Sequence, residues 1–413
     1  MSETSPTTPE RSAAAEPDFG VYVHVPYCRR KCRYCDFYSL AQEPDPRFGA
    51  AIAAELAHCE RTPAPDSAVR TGRAVVSIYL GGGTPSLLAP DTVGEIVGAV
   101  GHRFDVGSSA EVTVEVNPAT ADRAALLALR GAGANRLSIG VQSLDDRWLA
   151  VLGRLHDAAQ AIRSVQAAIA AGFDDVGVDL MLAVPGQTLA DSARDVKAIA
   201  ALGVPHVSAY LLTVEPGTPL HADVQAGRAV AVDDDLAADM LEQAVELLAA
   251  AGLARYEISN YARPGTAARH NRLYWSGGEV LGLGPGAHSH FRLADGGGLR
   301  FANARDVACY LRCFAAAPPR GDRFPRDEDL LSPAGYLCER LYLGLRDLER
   351  GVDLDAAAAA AGIEVWPALE RCLAELGDRG LLQRFGTQLR LSADGARLAD
   401  GVAARILATR APG

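Results

Sequence analysis

The chain reads as an α/β protein. Six parallel strands and their helices form a partial (β/α)6 barrel, followed by a smaller, mainly helical, winged-helix-like C-terminal domain. Three observations carry that expectation. Short apolar runs rich in β-branched residues alternate with longer helical patterns from Val21 to Ile258, which implies a parallel sheet flanked by helices. Almost every polar or glycine-rich motif in that stretch follows the end of a run, as expected where strand ends gather on one face of a barrel. After residue 265 the alternation stops, and the chain becomes helical before a final hairpin.

The elements follow in order. Strand Val21–Val25 leads into a loop with three cysteines. Helix Phe48–His58 precedes strand Val75–Leu80, which ends in Gly81-Gly82-Gly83-Thr84-Pro85-Ser86. Helix Pro90–Val100 precedes strand Val112–Val116 and its Asn117-Pro118. Helix Ala121–Gly131 precedes strand Leu137–Val141 and Gln142-Ser143. Helix Asp157–Ala171 precedes Val176–Ala183 and Pro185-Gly186-Gln187, and helix Thr188–Leu202 precedes His206–Thr213 and Glu215-Pro216-Gly217. Helix Asp234–Ala251 leads to a weaker run, Tyr256–Ile258. The alternation alone also fits a doubly wound sheet; the gathering of motifs at strand ends favours a barrel, and six units in place of eight make it open.

Beyond the barrel come a glycine-rich stretch, Gly277–Gly286, a loop around Asp295–Gly298, helical sequence from Asp327 and a hairpin over Gly380–Ser392. The expected divisions are a disordered polar tail over 1–18, a barrel over 19–265, a connecting region over 266–326 and a C-terminal domain over 327–413.

The net charge of −11 argues against a nucleic-acid binder that works through a broad basic face. Lys31 and Lys197 are the only lysines. Coding bias explains that better than function, so isolated arginines carry little weight. No apolar run reaches the ~18 residues of a membrane span, and the first residues lack the cationic and apolar segments of a signal peptide. A cytoplasmic, reducing location follows as the expectation. There, clustered cysteines favour metal binding or catalysis over disulfides.

Cys28, Cys32 and Cys35 form a Cx3Cx2C loop. Zinc wants a fourth ligand, and none stands at motif-like spacing. A [4Fe-4S] cube on three thiolates keeps one iron open to a small chelating molecule. Cys59, Cys309, Cys313, Cys338 and Cys372 read as small core residues. Gly81–Thr84 offers a backbone that a ligand can approach closely, though such a turn is more often only a turn. Glu115 lies inside an apolar strand, VTVEVNP, and Asp179 inside another, VGVDLML. A buried carboxylate needs a partner, which for Glu115 is either a ligand hydroxyl or amine or a salt bridge within the barrel.

The Cx3Cx2C loop resembles that of the radical SAM superfamily. Tyr22–Phe37 (YVHVPYCRRKCRYCDF) is similar to the group containing the oxygen-independent coproporphyrinogen III dehydrogenases and the HemW heme chaperones. The resemblance implies a TIM-like radical SAM barrel with a [4Fe-4S] cluster on Cys28, Cys32 and Cys35. It also implies S-adenosylmethionine (SAM) contacts at Tyr22, Tyr34, Gly82, Gly83, Thr84, Glu115, Gln142, Arg154, Asp179, Thr213 and His288.

Two departures separate this chain from the dehydrogenases. Their loop continues as Cx3Cx2CxC, and Phe37 stands where the fourth cysteine would be. They also carry a longer extension ahead of the loop. Arg269–Trp275 (RHNRLYW) instead resembles the HNxxYW signature of the chaperones, which implies heme binding by His270, Asn271, Tyr274 and Trp275. An imidazole can ligate heme iron, and the aromatic rings offer flat surface to a porphyrin; a satisfied structural histidine is the alternative.

The implied function is a heme chaperone that passes heme to acceptor hemoproteins, respiratory-chain components among them, with at most peripheral membrane association. The alternative is a radical SAM enzyme that oxidatively decarboxylates porphyrinogen propionates. The number of SAM molecules, the oligomeric state and a homodimer are left open.

Overall fold

A computed structural model describes residues 17–59, 71–120, 122–314 and 324–409. All but the last two residues of the expected tail lie outside them, as does Ala121 at the expected start of a helix.

The six expected strands are present: β1 (Phe19–Val25), β2 (Ala74–Gly82), β3 (Asp105–Val116), β4 (Arg136–Gln142), β5 (Asp175–Leu182) and β6 (His206–Leu211). They pair in parallel in sequence order. The intervening helices are α1 (Phe48–His58), α2 (Pro90–Arg103), α3 (Arg123–Gly131), α4 (Asp146–Leu152), α5 (Ala158–Ala170), α6 (Leu189–Ala201), α7 (Pro219–Gln225) and α8 (Asp234–Ala250). Asp157 and Thr188, expected as first helical residues, are the N-caps of α5 and α6. Thr188 forms a reciprocal capping box with Asp191.

The strands are two-sided in chemistry. Val21, Val23 and Val25, Ile78 and Leu80, Val112, Val114 and Val116, Leu137, Ile139 and Val141, and Val176, Val178 and Leu180 all belong to the buried core shared with the helices. Their alternates, among them Tyr79, Glu115, Ser138, Asp179 and Ser208, line a cavity inside the curved sheet. A period of two thus sends the apolar half of each strand outward under the helices and the polar half inward.

The run Tyr256–Ile258 is not a strand. The short strands are β7 (Ala254–Arg255) and β8 (Asn260–Ala262), antiparallel to each other, and β8 continues the sheet beside β6. The Glu257 carboxylate accepts from the Ser259 N–H at 2.9 Å and from the Asn260 amide, which holds Tyr256–Ser259 as a turn.

The glycine-rich stretch also differs from expectation, because it contains a central strand. Helix α9 (Arg269–Ser276) is followed by β9 (Glu279–Leu283), which lies parallel to β1 on the side away from β2. Gly282 is required there, since a Cβ would meet the His288 backbone at 2.2 Å. Then β10 (His288–Arg292), β11 (Gly298–Asn303) and, after α10 (Val307–Phe314), β12 (Arg326–Leu331) extend the sheet to twelve strands in the order β12-β11-β10-β9-β1-β2-β3-β4-β5-β6-β8-β7. The sheet therefore stays an open, partial barrel. Its edge strand β12 was expected as helix; its sequence, RDEDLL, is a charged, largely exposed edge of the kind that resists further pairing.

The C-terminal domain has its own core, including Leu337, Leu341, Trp366, Leu369, Leu373 and Leu389. Helix α11 (Pro333–Gly344), β13 (Val352–Asp353), α12 (Leu354–Ala361), α13 (Pro367–Asp378), β14 (Leu382–Phe385) and β15 (Gln388–Leu391) follow one another, with sheet order β13-β15-β14. Helix, strand, two helices and a hairpin make the winged-helix-like arrangement.

Candidate functional site: the cysteine loop and the barrel cavity

The C-terminal ends of the strands surround a cavity of about 560 Å³. The cysteine loop forms one wall. It is anchored to the end of β2, where the Gly83 N–H donates to the Val25 carbonyl (2.8 Å) and the Thr84 N–H to the Tyr27 carbonyl (2.7 Å). A Cβ on Gly83 would stand 2.6 and 2.7 Å from those same two oxygens, so only glycine allows this approach.

On the far side, the Arg33 N–H donates to the Leu152 carbonyl (3.1 Å), and the Arg30 guanidinium to the carbonyls of Gly153 and Arg154 (2.8 Å each). Arg29, Arg30 and Lys31 are exposed, and Arg33 pairs with Asp223.

Cys28, Cys32 and Cys35 are free, half-buried thiols, and all three line the cavity. The Thr84 hydroxyl donates to the Cys28 Sγ and the Arg154 guanidinium to the Cys32 Sγ, both at 3.4 Å. Burial pushes the Cys35 thiol up to about 11, and Cys32 and Cys28 add to it. Among the described residues, no three His, Cys, Asp or Glu side chains converge on a single ion. A four-iron cube spans more space than one ion and asks only for a thiolate at each of three corners.

Of the residues matched to SAM contacts, Tyr34, Gly82, Gly83, Thr84, Glu115, Gln142, Arg154, Asp179 and Thr213 line the cavity, and Tyr22 and His288 do not. Tyr22 lies behind it, bonded through its hydroxyl to His24 Nδ1 (3.1 Å) and stacked on Tyr79. His288 is exposed at the start of β10.

Glu115 accepts from the Tyr79 hydroxyl (2.8 Å) and the Gly82 N–H (3.0 Å). Burial and the Asp179 carboxylate push its pKa up to about 7. Burial raises Asp179 as well, against hydrogen bonds from Ser138 (3.1 Å) and Ser208. Gln142 has a positive φ of 67°, a costly conformation outside glycine, and among the described residues neither its buried Oε1 nor the buried Nε of Arg154 has a hydrogen-bond partner. Two buried carboxylates with spare acceptor capacity, unpaired polar atoms and a glycine turn suit a cationic ligand that carries hydroxyls.

Tyr79, Ser138, Ser208 and Tyr210 also line the cavity and went unrecognised in the sequence. The signal was available in the period of two: Ser208 and Tyr210 alternate along β6, and Tyr79 and Ser138 sit at inward positions of β2 and β4.

The HNxxYW segment is α9, which enters the barrel from beneath the cavity. The Glu111 carboxylate accepts from the N–H groups of Arg269 (2.7 Å) and His270 (3.1 Å) at the helix N-terminus. His270 is only 2% exposed. Its Nδ1 is 2.9 Å from the Ser77 hydroxyl, and its ring stacks on Tyr79 at 5.0 Å with Tyr274 edge-on at 5.3 Å. Burial, then Arg136, lowers its pKa to about 3, and its buried Nε2 has no hydrogen-bond partner among the described residues. Asn271 reaches the cavity; His270, Tyr274 and Trp275 do not line it. Trp275 faces the C-terminal domain, beneath Arg346 (5.2 Å).

Residues 22–199 match the model of the radical SAM superfamily. The heme chaperone HemW of Mycobacterium tuberculosis is 38% identical over 395 residues, covering 94% of this chain and 95% of that protein. The heme chaperone HemW of Bacillus subtilis is 31% identical over 386 residues, covering 92% and 97%. In structure, the coproporphyrinogen III oxidase HemN of Escherichia coli superposes with a TM-score of 0.77 at 21% identity, covering 95% of this chain and 91% of that one. That likeness establishes the fold, and the identity along nearly the whole chain establishes the family: this protein belongs to the HemW family of the radical SAM superfamily.

Proposed function

We propose that this protein is a heme chaperone that carries a [4Fe-4S] cluster and SAM and passes heme to acceptor hemoproteins. The observation that carries the reading is the 38% identity to a curated heme chaperone over 94% of the chain. The cluster would sit on Cys28, Cys32 and Cys35, and when bound it supplies an open iron able to chelate the amine and carboxylate of SAM.

This chain's own residues do the rest. Thr84 and Arg154 hold the Cys28 and Cys32 sulfurs in place. Gly82 and Gly83 bring backbone against the ligand's amino-acid end. Glu115 and Asp179 accept from its hydroxyls and oppose its positive charge, and Tyr34, Gln142 and Thr213 complete the wall. Tyr22 acts one layer back through Tyr79, and His288 from the neighbouring β10.

Heme contact is assigned to His270, Asn271, Tyr274 and Trp275. The unpartnered Nε2 of His270 is the atom an iron would take, and the stack with Tyr79 must open for it to do so. The site of action is the cytoplasm, with acceptors that include membrane-bound respiratory components. Any contact with such acceptors at the membrane is proposed to be peripheral, and among the described residues no helix is long and apolar enough to cross a membrane.

The test is a heme titration of the reconstituted protein followed by absorption. Stoichiometric binding is expected, weakened in His270→Ala. An unchanged titration in the variant removes His270 from the heme site, and the absence of binding in the parent protein removes the chaperone reading.

A further inference from the structure

We infer that helix α9 is a strut through which the C-terminal domain sets the shape of the cavity, so that a change at the domain contact alters affinity for the cavity's ligand. The inference builds on the reading of that cavity as a SAM site.

The helix has two working faces. His270, Leu273 and Tyr274, at positions i, i+3 and i+4, face the barrel interior. There His270 backs Tyr79, and Tyr79 holds Glu115 at the cavity wall. Asn271 lines the cavity itself and reaches the Tyr256 hydroxyl.

Arg272, Trp275 and Ser276 face the other way. Arg272 is 3.7 Å from the Asp347 carboxylate and pairs with Glu349. Trp275 lies under Arg346. Arg340, from α11, donates to the Ser276 carbonyl and places a cation at the C-terminus of α9. Gly277, with φ 69°, ends the helix so tightly against it that a Cβ would overlap the Arg340 guanidinium. A second thread runs beside the first, since the Leu348 N–H donates to the Tyr256 carbonyl (2.9 Å).

Eight residues thus touch the cavity wall on one side and the C-terminal domain on the other. A short helix wedged between two packed bodies moves as a unit, because neither packed face deforms continuously. Displacing its C-terminal end therefore tilts His270 and Tyr79 and loosens Glu115. Reciprocity requires that ligand in the cavity stiffen the domain contact.

The test measures SAM affinity on cluster-reconstituted full-length protein for the parent, Arg346→Ala, Arg346→Lys and Arg384→Ala. Arg384, on the hairpin strand β14, pairs with Glu370 of α13 away from α9. Arg346→Ala should bind SAM at least ~5-fold more weakly. Arg346→Lys, which keeps a cation over Trp275, should restore most of it, and Arg384→Ala should match the parent.

Equal SAM affinity in the parent and Arg346→Ala overturns the strut. If the parent itself fails to bind SAM, the reading of the cavity is what falls. The strut is then judged in the unliganded chain by a denaturation cycle of Tyr79→Phe and Arg346→Ala. Losses smaller in the double variant than the sum of the singles support it, and additive losses overturn it.

Discussion

Glu115 carries a conflict between stability and binding. Its carboxyl is buried beside Asp179, and its pKa stands near 7 in place of the ordinary 4.5. Between those values the folded chain holds the proton more tightly than the unfolded chain does. Stability contributed by this group is therefore present below pH 4.5 and is lost as pH rises toward 7. A cationic ligand has the opposite preference, since it favours the carboxylate. SAM affinity is expected to fall as pH drops from 8 to 6, with a midpoint near the Glu115 value. Glu115→Gln should raise the melting temperature at pH 8 more than at pH 5 and weaken SAM binding roughly tenfold or more, the loss of a charge-assisted hydrogen bond. Thermal melts and SAM titrations at the two pH values check both halves; a flat pH profile would remove Glu115 from the ligand's surroundings. Glu115 was legible in the sequence because a carboxylate inside VTVEV has no business in an apolar core without a partner. Tyr79, which holds it, shows its inward position only through the period of two, since its residue type is ordinary on either face of a strand.

At the scale of elements, the cysteine loop depends on how closely β2 ends against β1. Gly83→Ala would drive a methyl group into the Val25 and Tyr27 carbonyls and break the two hydrogen bonds that set the base of the loop. The expected outcome is a folded protein with sharply reduced iron and sulfide after reconstitution. Thr84→Ala, which removes only the donor to Cys28, should lose much less. Iron and sulfide analysis of both variants, beside the triple Cys28/Cys32/Cys35→Ala variant, decides this; full iron retention in the triple variant would sink the cluster assignment.

The parallel strands and the longer helices of the barrel were readable because β-branched runs, turn glycines and, at α5 and α6, caps agreed with one another, whereas the seven-residue helices α4 and α7 were not expected. The stretch that became β9 was not, because Gly282, forced by the approach of the His288 backbone, and the glycines on either side of the strand masked its strand signature. Nor was β12, whose charges suit an exposed edge as well as a helix surface.

At the scale of the whole molecule, shape does not separate a heme chaperone from a porphyrinogen dehydrogenase. The backbone follows HemN over 95% of this chain, yet the two share 21% of their sequence. The distinction has to come from side chains at the cavity and from what the second domain contacts. Phe37 lines the cavity mouth with 70% of its surface exposed, where the dehydrogenase loop resembled in the sequence has a cysteine. A ring of that size and exposure offers a flat apolar surface at the mouth and supplies no thiolate. Beneath the cavity, α9 fills the barrel with His270, Tyr274 and Leu273 and ties it to the C-terminal domain. The exposed Phe37 ring suits contact with a preformed flat ligand. An anaerobic sample given reductant, SAM, heme and coproporphyrinogen III together should therefore take up heme and leave the porphyrinogen propionates intact. Chromatography for decarboxylated product and absorption for bound heme read the two outcomes from one vessel. Decarboxylation without heme uptake would turn the assignment over to the enzyme, and would do so with no change in the fold described above.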